Sequence, residues 1–139
     1  MTDTTRRRIL RANAIFLMLF GGSGFLLDLK AHFTGSGAQA VLTSAAPHTM
    51  VGFVEAHGLA VIIGVLLWRA LPTRSWHLTA AAVHVLLGVS NLVFWQIFVV
   101  ANLLPLGSVS TGFHFLFVAL HLWAAAGATV AVGSAPVRA

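Results

Sequence analysis

Glu55 lies inside an apolar run that extends from Met50 to Trp68. An ionisable side chain at membrane depth costs roughly 2.5–3.5 kcal/mol on insertion scales, so it normally has a partner and a purpose. His57 follows two residues later, and Asn91 and His121 lie in two further apolar runs. A carboxylate, imidazoles and an amide can exchange protons or hydrogen-bond a ligand. We interpret Glu55, Asn91 and His121 as the candidate catalytic residues.

These polar residues are expected to lie at a similar depth in the membrane. At ~1.5 Å per residue, Glu55, His57, Asn91 and His121 each lie about 18–21 Å from the arginine-flanked helix ends. The glycine-rich run at positions 21–24 reaches the same height. That run indicates either a close helix contact or a pocket beside the polar layer.

Residues seven apart lie on one face of a helix, two turns apart. Two such stripes are His84, Gly88, Asn91 and Trp95, and His114, Phe117, His121 and Ala125. We expect both stripes to face the interior. Glu55 shares a face with His48, whereas His57 points about 200° away. We therefore predict that Glu55 faces inward. His57 then faces a neighbouring helix or a second copy of the chain, unless an irregularity near Gly58 rotates it. The ligand-binding candidates are His48, His57, His84, Trp95 and His114.

Composition indicates the class of protein that holds these residues. The 139 residues are 58% apolar and 8% charged, and apolar segments of about 20 residues recur four times. We predict an all-α membrane protein, a single transmembrane domain over residues 1–139, with helices at about 9–29, 48–68, 77–101 and 113–132. Short connections make this an antiparallel four-transmembrane-helix bundle. The chain has no cysteine, which excludes disulfides and thiolate chemistry.

The distribution of positive charge along the sequence indicates how the chain is oriented in the membrane. Arginine accounts for most of the cationic residues and flanks the apolar segments, so a topology signal explains the basic character better than nucleic-acid binding does. By the positive-inside rule, both termini lie in the cytoplasm of a multi-pass protein of the cell membrane. The alternative is a cleaved signal peptide over residues 6–27, with a small-residue site at 38–40. Its apolar stretch is longer, and its site further downstream, than such peptides have.

Several mechanisms fit the polar layer, and the leading one is a lipophilic redox ligand. His121 would hydrogen-bond a quinone, or His121 and His57 would ligate a b-type haem axially. The first alternative is a membrane-embedded isomerase or hydrolase that uses Glu55 as acid and base on a sterol-like or terpenoid substrate. The second is a small proton-coupled transporter, in which His114, His121, His48 and Glu55 relay protons from outside. The remaining alternative is a subunit of a homodimer or larger membrane complex.

A metal site is not predicted. His114 and His121 lie about 10.5 Å apart along one helix axis, too far apart to share an ion. The Glu-x-x-His motif of di-iron bundles is absent, because a single residue separates Glu55 from His57.

The stretch Val54–Gly64, with a glutamate followed by glycine-punctuated apolar residues, resembles the second helix of DoxX-like small four-helix membrane proteins. The stretch Gly21–Lys30 is similar to their first helix, so that the resemblance covers about a quarter of the chain. It implies a four-helix membrane protein linked to quinone-dependent oxidoreductase systems. Glu55 is the one candidate site residue that the resemblance carries over.

Overall fold

The computed structural model describes residues 1–45 and 48–128. Six helices and no strands are found in these ranges: α1 (Asp3–Thr34), α2 (Ala40–Ala45), α3 (Thr49–Arg69), α4 (Arg74–Val93), α5 (Gln96–Val100) and α6 (Leu104–Ala126). Four of them, α1, α3, α4 and α6, are long and apolar enough to cross a membrane. The expected all-α chain with four potential membrane-spanning helices is therefore confirmed.

The first helix is longer than the predicted segment 9–29. Thr2 caps its start, because the Thr2 hydroxyl accepts a hydrogen bond from the backbone N–H of Thr5 at 3.2 Å. Its end is set by Gly35, whose φ of 60° is left-handed and whose N–H donates to the Ala31 carbonyl at 3.0 Å. Asp28 therefore lies within α1 rather than at its end.

The predicted helix 77–101 is two helices in the structure. Thr73 caps the start of α4, accepting from the N–H of Trp76 at 3.5 Å. The chain then turns at Phe94 and Trp95, and α5 follows as a short separate helix. Trp95 thus leaves the face of α4 that carries His84, and its ring packs on Phe98 of α5 at 5.5 Å between centroids.

The last predicted helix, 113–132, begins nine residues earlier, at Leu104, and α6 ends at Ala126. Pro105 lies in its first turn, where proline is favoured because that backbone N–H has no partner within the helix. Asn102 makes the preceding turn with φ of 55°. Residues 129–132 of the predicted helix lie outside the described residues.

Glycines hold α1 close to α3. A Cβ on Gly21 would lie 2.9 Å from the Ala60 Cβ and 3.0 Å from the His57 carbonyl, and a Cβ on Gly64 would lie 3.0 Å from the Ala14 carbonyl. These distances leave no room for a side chain between the two backbones. The glycine run of α1 is therefore a close helix contact, the first of the two alternatives.

The face of α3 that packs on α1 is not the predicted one. Its inward positions include Ala60, Gly64 and Leu67, whereas the predicted inward face, that of Glu55 and His48, is exposed. The prediction that Glu55 faces inward is wrong. Small residues decide which face of this helix packs, because close backbone contact gains more van der Waals energy than a polar stripe does in an apolar solvent.

The second helix pair is formed by α4 and α6, and α1 also contacts α6. The inward faces carry the expected stripes, since His84 and Gly88 on α4 and His114, Phe117 and His121 on α6 are all buried. Outside, large apolar side chains such as Leu26, Leu59 and Leu86 are more than half exposed. Apolar residues outside and polar residues inside are the arrangement expected of a multi-pass membrane protein.

We call the end of the molecule that holds the start of α1, the end of α3 and the start of α4 the arginine end. It carries Arg6, Arg7, Arg8, Arg11, Arg69 and Arg74. Arg11 lies over the ring of Trp68, 5.1 Å from its centroid. A tryptophan with an arginine on its face is typical of a membrane–water boundary.

Candidate functional site

Two imidazole pairs bridge α4 and α6. Near the arginine end, His77 Nδ1 lies 2.9 Å from His121 Nδ1. Two helical turns further along α4, His84 Nδ1 lies 2.9 Å from His114 Nδ1. Because the helices are antiparallel, the spacing of seven residues on each helix brings the histidines together two by two. Of the four, His77, His84 and His121 are 0% exposed.

Asn13 of α1 joins the two pairs. Its Oδ1 lies 2.7 Å from His84 Nε2, and its Nδ2 lies 2.6 Å from His121 Nε2. The Asn13 side chain is 0% exposed, and both its carbonyl group and its amino group are hydrogen-bonded. A single amide thus connects three helices at the centre of the protein.

The hydrogen bonds continue toward the end opposite the arginines. Ser110 Oγ lies 3.4 Å from His114 Nε2, and Asn91 Nδ2 donates to the hydroxyls of Ser110 and Thr111, at 3.2 Å in each case. Asn91 and Ser110 are half-buried. We call the connected set the polar chain; in order, it consists of Asn91, Ser110, His114, His84, Asn13, His121 and His77.

One direction of donation satisfies every contact of the polar chain with neutral imidazoles. Asn13 Nδ2 can only donate, so His121 Nε2 accepts and His121 Nδ1–H donates to His77. Asn13 Oδ1 can only accept, so His84 Nε2–H donates to it and His84 Nδ1 accepts from His114. His114 Nε2 then accepts from the hydroxyl of Ser110. All the protons point the same way, toward the arginine end.

Phenylalanines enclose the middle of the polar chain. The ring of Phe117 stacks on His84 at 5.0 Å between centroids, and Phe16 meets His114 edge to face at 5.8 Å. These rings replace water around the imidazoles, which strengthens the hydrogen bonds between them.

Unpaired donors mark the arginine end of the polar chain. In this direction of donation His77 Nε2 carries a proton, and among the described residues it has no hydrogen-bond partner. Arg6 is 7% exposed and lies within electrostatic range of His77. Its Nη1 donates to Asp3 at 3.1 Å, but its Nε and Nη2 find no partner among the described residues. The polar chain therefore ends beside the positive charge of Arg6.

A separate polar pair lies between α1 and α3. His57 Nδ1 donates to Asp28 Oδ2 at 2.6 Å. Asp28 is 0% exposed, whereas the side chain of His57 is 35% exposed. The His57 ring lies over Gly24, because a Cβ there would be 2.6 Å from its Nε2 and Cδ2. No hydrogen bond among the described residues links this pair to the polar chain.

The predicted site residues are thus divided among three places. His84, His114, His121 and Asn91 belong to the polar chain, and His57 belongs to the pair with Asp28. The others lie outside both: Glu55 on α3 and His48 just before it are exposed, and Trp95 packs on Phe98 of α5. The predicted common level of Glu55, Asn91 and His121 is not found. His121 lies nearer the arginine end than predicted because α6 ends at Ala126. Five hydrogen bonds of the polar chain separate it from Asn91.

The predicted ligand modes for His121 do not fit this arrangement. Both of its ring nitrogens already bond to protein groups, which leaves none for a quinone carbonyl or a haem iron. His57, the predicted second axial ligand, belongs to the pair with Asp28 and not to the polar chain. Within residues 1–45 and 48–128, no three His, Cys, Asp or Glu side chains are placed to hold a metal ion.

Sequence reasoning missed Asn13, His77, Ser110 and Asp28. Asn13 lies in an apolar run and shares a helical face with Leu10 and Leu17, and a polar residue on such a face was the available signal. Asp28 follows Gly21 by seven residues and shares its face. His77 is the first residue of the predicted helix 77–101 and lies seven residues from His84, the spacing that pairs it with His121.

Comparison with family models, curated proteins and solved structures gave no match.

Proposed function

We propose that this protein transfers protons across a membrane along the polar chain. The observation that carries the proposal is the unbroken series of hydrogen bonds from Asn91 to His77. At ~1.5 Å per residue of α4, its two ends are about 21 Å apart, most of the ~30 Å hydrocarbon core. By the positive-inside rule, the arginine end faces the cytoplasm and the Asn91 end faces outward.

Imidazoles are suited to this task because each ring accepts a proton on one nitrogen and releases another from the second nitrogen. A proton that arrives at His114 Nε2 allows His114 to pass its Nδ1 proton to His84 Nδ1. In the His77–His121 pair, a proton that arrives at His121 Nε2 allows His121 to pass its Nδ1 proton to His77, whose Nε2 proton then leaves. Each hop conserves one proton and reverses the tautomer of the ring.

Asn13 is the controlling link in this proposal. A side-chain amide is not an acid or base near neutral pH, so it holds the two imidazole pairs in register but does not carry a proton between them. The rings of His84 and His121 are 6.4 Å apart between centroids and tilted by 18°, too far apart to exchange a proton directly. A proton passes when Asn13 turns away and His84, or a water molecule, reaches His121. The described arrangement is the closed state.

The test is proton flux into vesicles that contain the purified protein. A pH-sensitive dye is enclosed, and a potassium gradient with valinomycin drives proton entry. We expect flux from the unaltered protein and flux at the level of protein-free vesicles from His84→Phe, which keeps an aromatic ring and removes both hydrogen bonds. The matched control is His32→Phe, an exposed histidine outside the polar chain, which keeps the flux. Equal flux from His84→Phe and the unaltered protein would overturn the proposal.

Substitution of Asn13 separates a relay from a polar core without transport. Asn13→Asp places a group that accepts and releases protons between His84 and His121, so the flux rises above that of the unaltered protein. Asn13→Leu removes the connection, and the flux falls to background. Absence of flux from both the unaltered protein and Asn13→Asp would show that the polar chain only holds the helices together.

A further inference from the structure

The Asp28–His57 pair lies outside the proposed proton relay. Asp28 accepts the Nδ1 proton of His57 and so fixes the tautomer of the ring, leaving the lone pair of the neutral imidazole on Nε2. Within the described residues, the bond to Asp28 is the only hydrogen bond of the His57 ring. A buried carboxylate that orients a histidine and leaves its second nitrogen free is the arrangement that makes an imidazole a good acceptor.

The position of His57 excludes water as its usual partner. His57 is eight residues from the start of α3, which places it about 12 Å inside the helix end at 1.5 Å per residue. At that depth the side chain of His57 is still 35% exposed. The exposed face of α3 there carries apolar Leu59 and the acidic Glu55, and that of α1 carries Leu26 and Leu27. The medium is lipid, in which an acceptor without a donor costs free energy.

We propose that His57 Nε2 binds the hydroxyl group of a lipid-soluble molecule that approaches α1 and α3 from the bilayer. The ligand must donate a hydrogen bond, because Nε2 of this tautomer only accepts. It must be largely apolar, because it reaches the site through hydrocarbon. A phenolic head group and a long-chain alcohol share this chemistry.

Gly24 is part of the site because the imidazole lies directly on its backbone. A methyl group at this position would overlap Nε2 and Cδ2 of His57, both 2.6 Å away, and would push the ring off Asp28. Gly24→Ala therefore displaces the ring without changing any polar group. This variant tests the position of His57 separately from its chemistry.

The binding test uses matched ligands that differ in one hydrogen-bond donor. Protein labelled with ¹⁵N in histidine is placed in lipid nanodiscs, and the His57 signals are assigned by their loss in His57→Phe. A long-chain alcohol and an alkylated hydroquinone are each titrated beside their methyl ethers. We expect the hydroxyl compounds to shift the Nε2 resonance, and the ethers to bind about tenfold more weakly, as expected for the loss of one hydrogen bond.

Three outcomes would overturn the proposal: no Nε2 shift with either hydroxyl compound, equal shifts with the ethers, or a free His57 that carries protons on both nitrogens. A shift with the hydroquinone alone identifies a phenolic ligand, and shifts with both identify any lipid-soluble hydroxyl. Gly24→Ala weakens binding in either case. Glu55→Gln is the matched control, since it neutralises the exposed acid two residues from His57 and leaves binding unchanged. The measurement involves no proton flux, so it stands whether or not the polar chain conducts.

Discussion

Between α1 and α3, glycines bring two backbones together until a Cβ on Gly21 would lie 2.9 Å from that of Ala60. Between α4 and α6, imidazoles bridge the helices, with 2.9 Å between the Nδ1 atoms of each pair. The first half gains van der Waals contact and keeps a single polar pair that is still partly open to the lipid. In the second helix pair, the four imidazoles bond to one another and to Asn13 of α1. Tight backbone packing leaves one histidine available to a ligand, whereas the imidazole contact leaves a connected path.

The largest effect is expected in the α4–α6 half. His84→Phe leaves Asn13 Oδ1 and His114 Nδ1 without partners, at about 1–3 kcal/mol each, so the free energy of unfolding falls by about 2–6 kcal/mol. Reversible unfolding in mixed detergent and dodecyl sulfate measures it. His32→Phe serves as the exposed control and stays near the unaltered protein. A stability unchanged by His84→Phe would show that the imidazole pairs do not hold α4 to α6.

A somewhat smaller effect is expected in the α1–α3 half. Gly21→Val inserts a branched side chain against the Ala60 Cβ and the His57 carbonyl, and overpacking of this kind costs about 1–3 kcal/mol. The same unfolding measurement applies. Gly52→Val is the matched control, because a Cβ on Gly52 would meet nothing within 4 Å. Equal destabilisation by the two variants would mean that α1 and α3 do not depend on close glycine contact.

The sequence was sufficient for the number of membrane helices and for the inward faces of α4 and α6, since long apolar segments and a seven-residue histidine spacing determine both. It was not sufficient for the face of α3. Glu55 was predicted to face inward because it shares a face with the polar His48, but the small residues Ala60 and Gly64 decide which face packs. The link through Asn13 was also out of reach, because it depends on how α1 packs against two helices distant in sequence.

Gly24→Ala is expected to have a smaller effect on stability and a clear effect on one hydrogen bond. The added methyl group pushes His57 away from Asp28, and the loss costs about 1 kcal/mol. The ¹⁵N resonance of His57 Nδ1 reports the bond, and the pattern of the free tautomer mixture replaces that of a fixed Nδ1–H. Gly22→Ala is the neighbouring control, since its nearest contact is 3.9 Å away. An unchanged His57 spectrum in Gly24→Ala would mean that the ring does not lie on Gly24.

Glu55→Gln is expected to have the smallest effect, and it separates the interpretation based on sequence from the one based on structure. If Glu55 were the acid and base of the site, its neutralisation would abolish activity. In the structure Glu55 is exposed on α3 and belongs to neither polar set, so the free energy of unfolding changes by no more than ~0.5 kcal/mol and the proton flux is unchanged. Unfolding and vesicle flux, measured beside His84→Phe, decide between the two. A loss of flux as large as that of His84→Phe would place Glu55 on the proton path. The proton path would then not be confined to the polar chain.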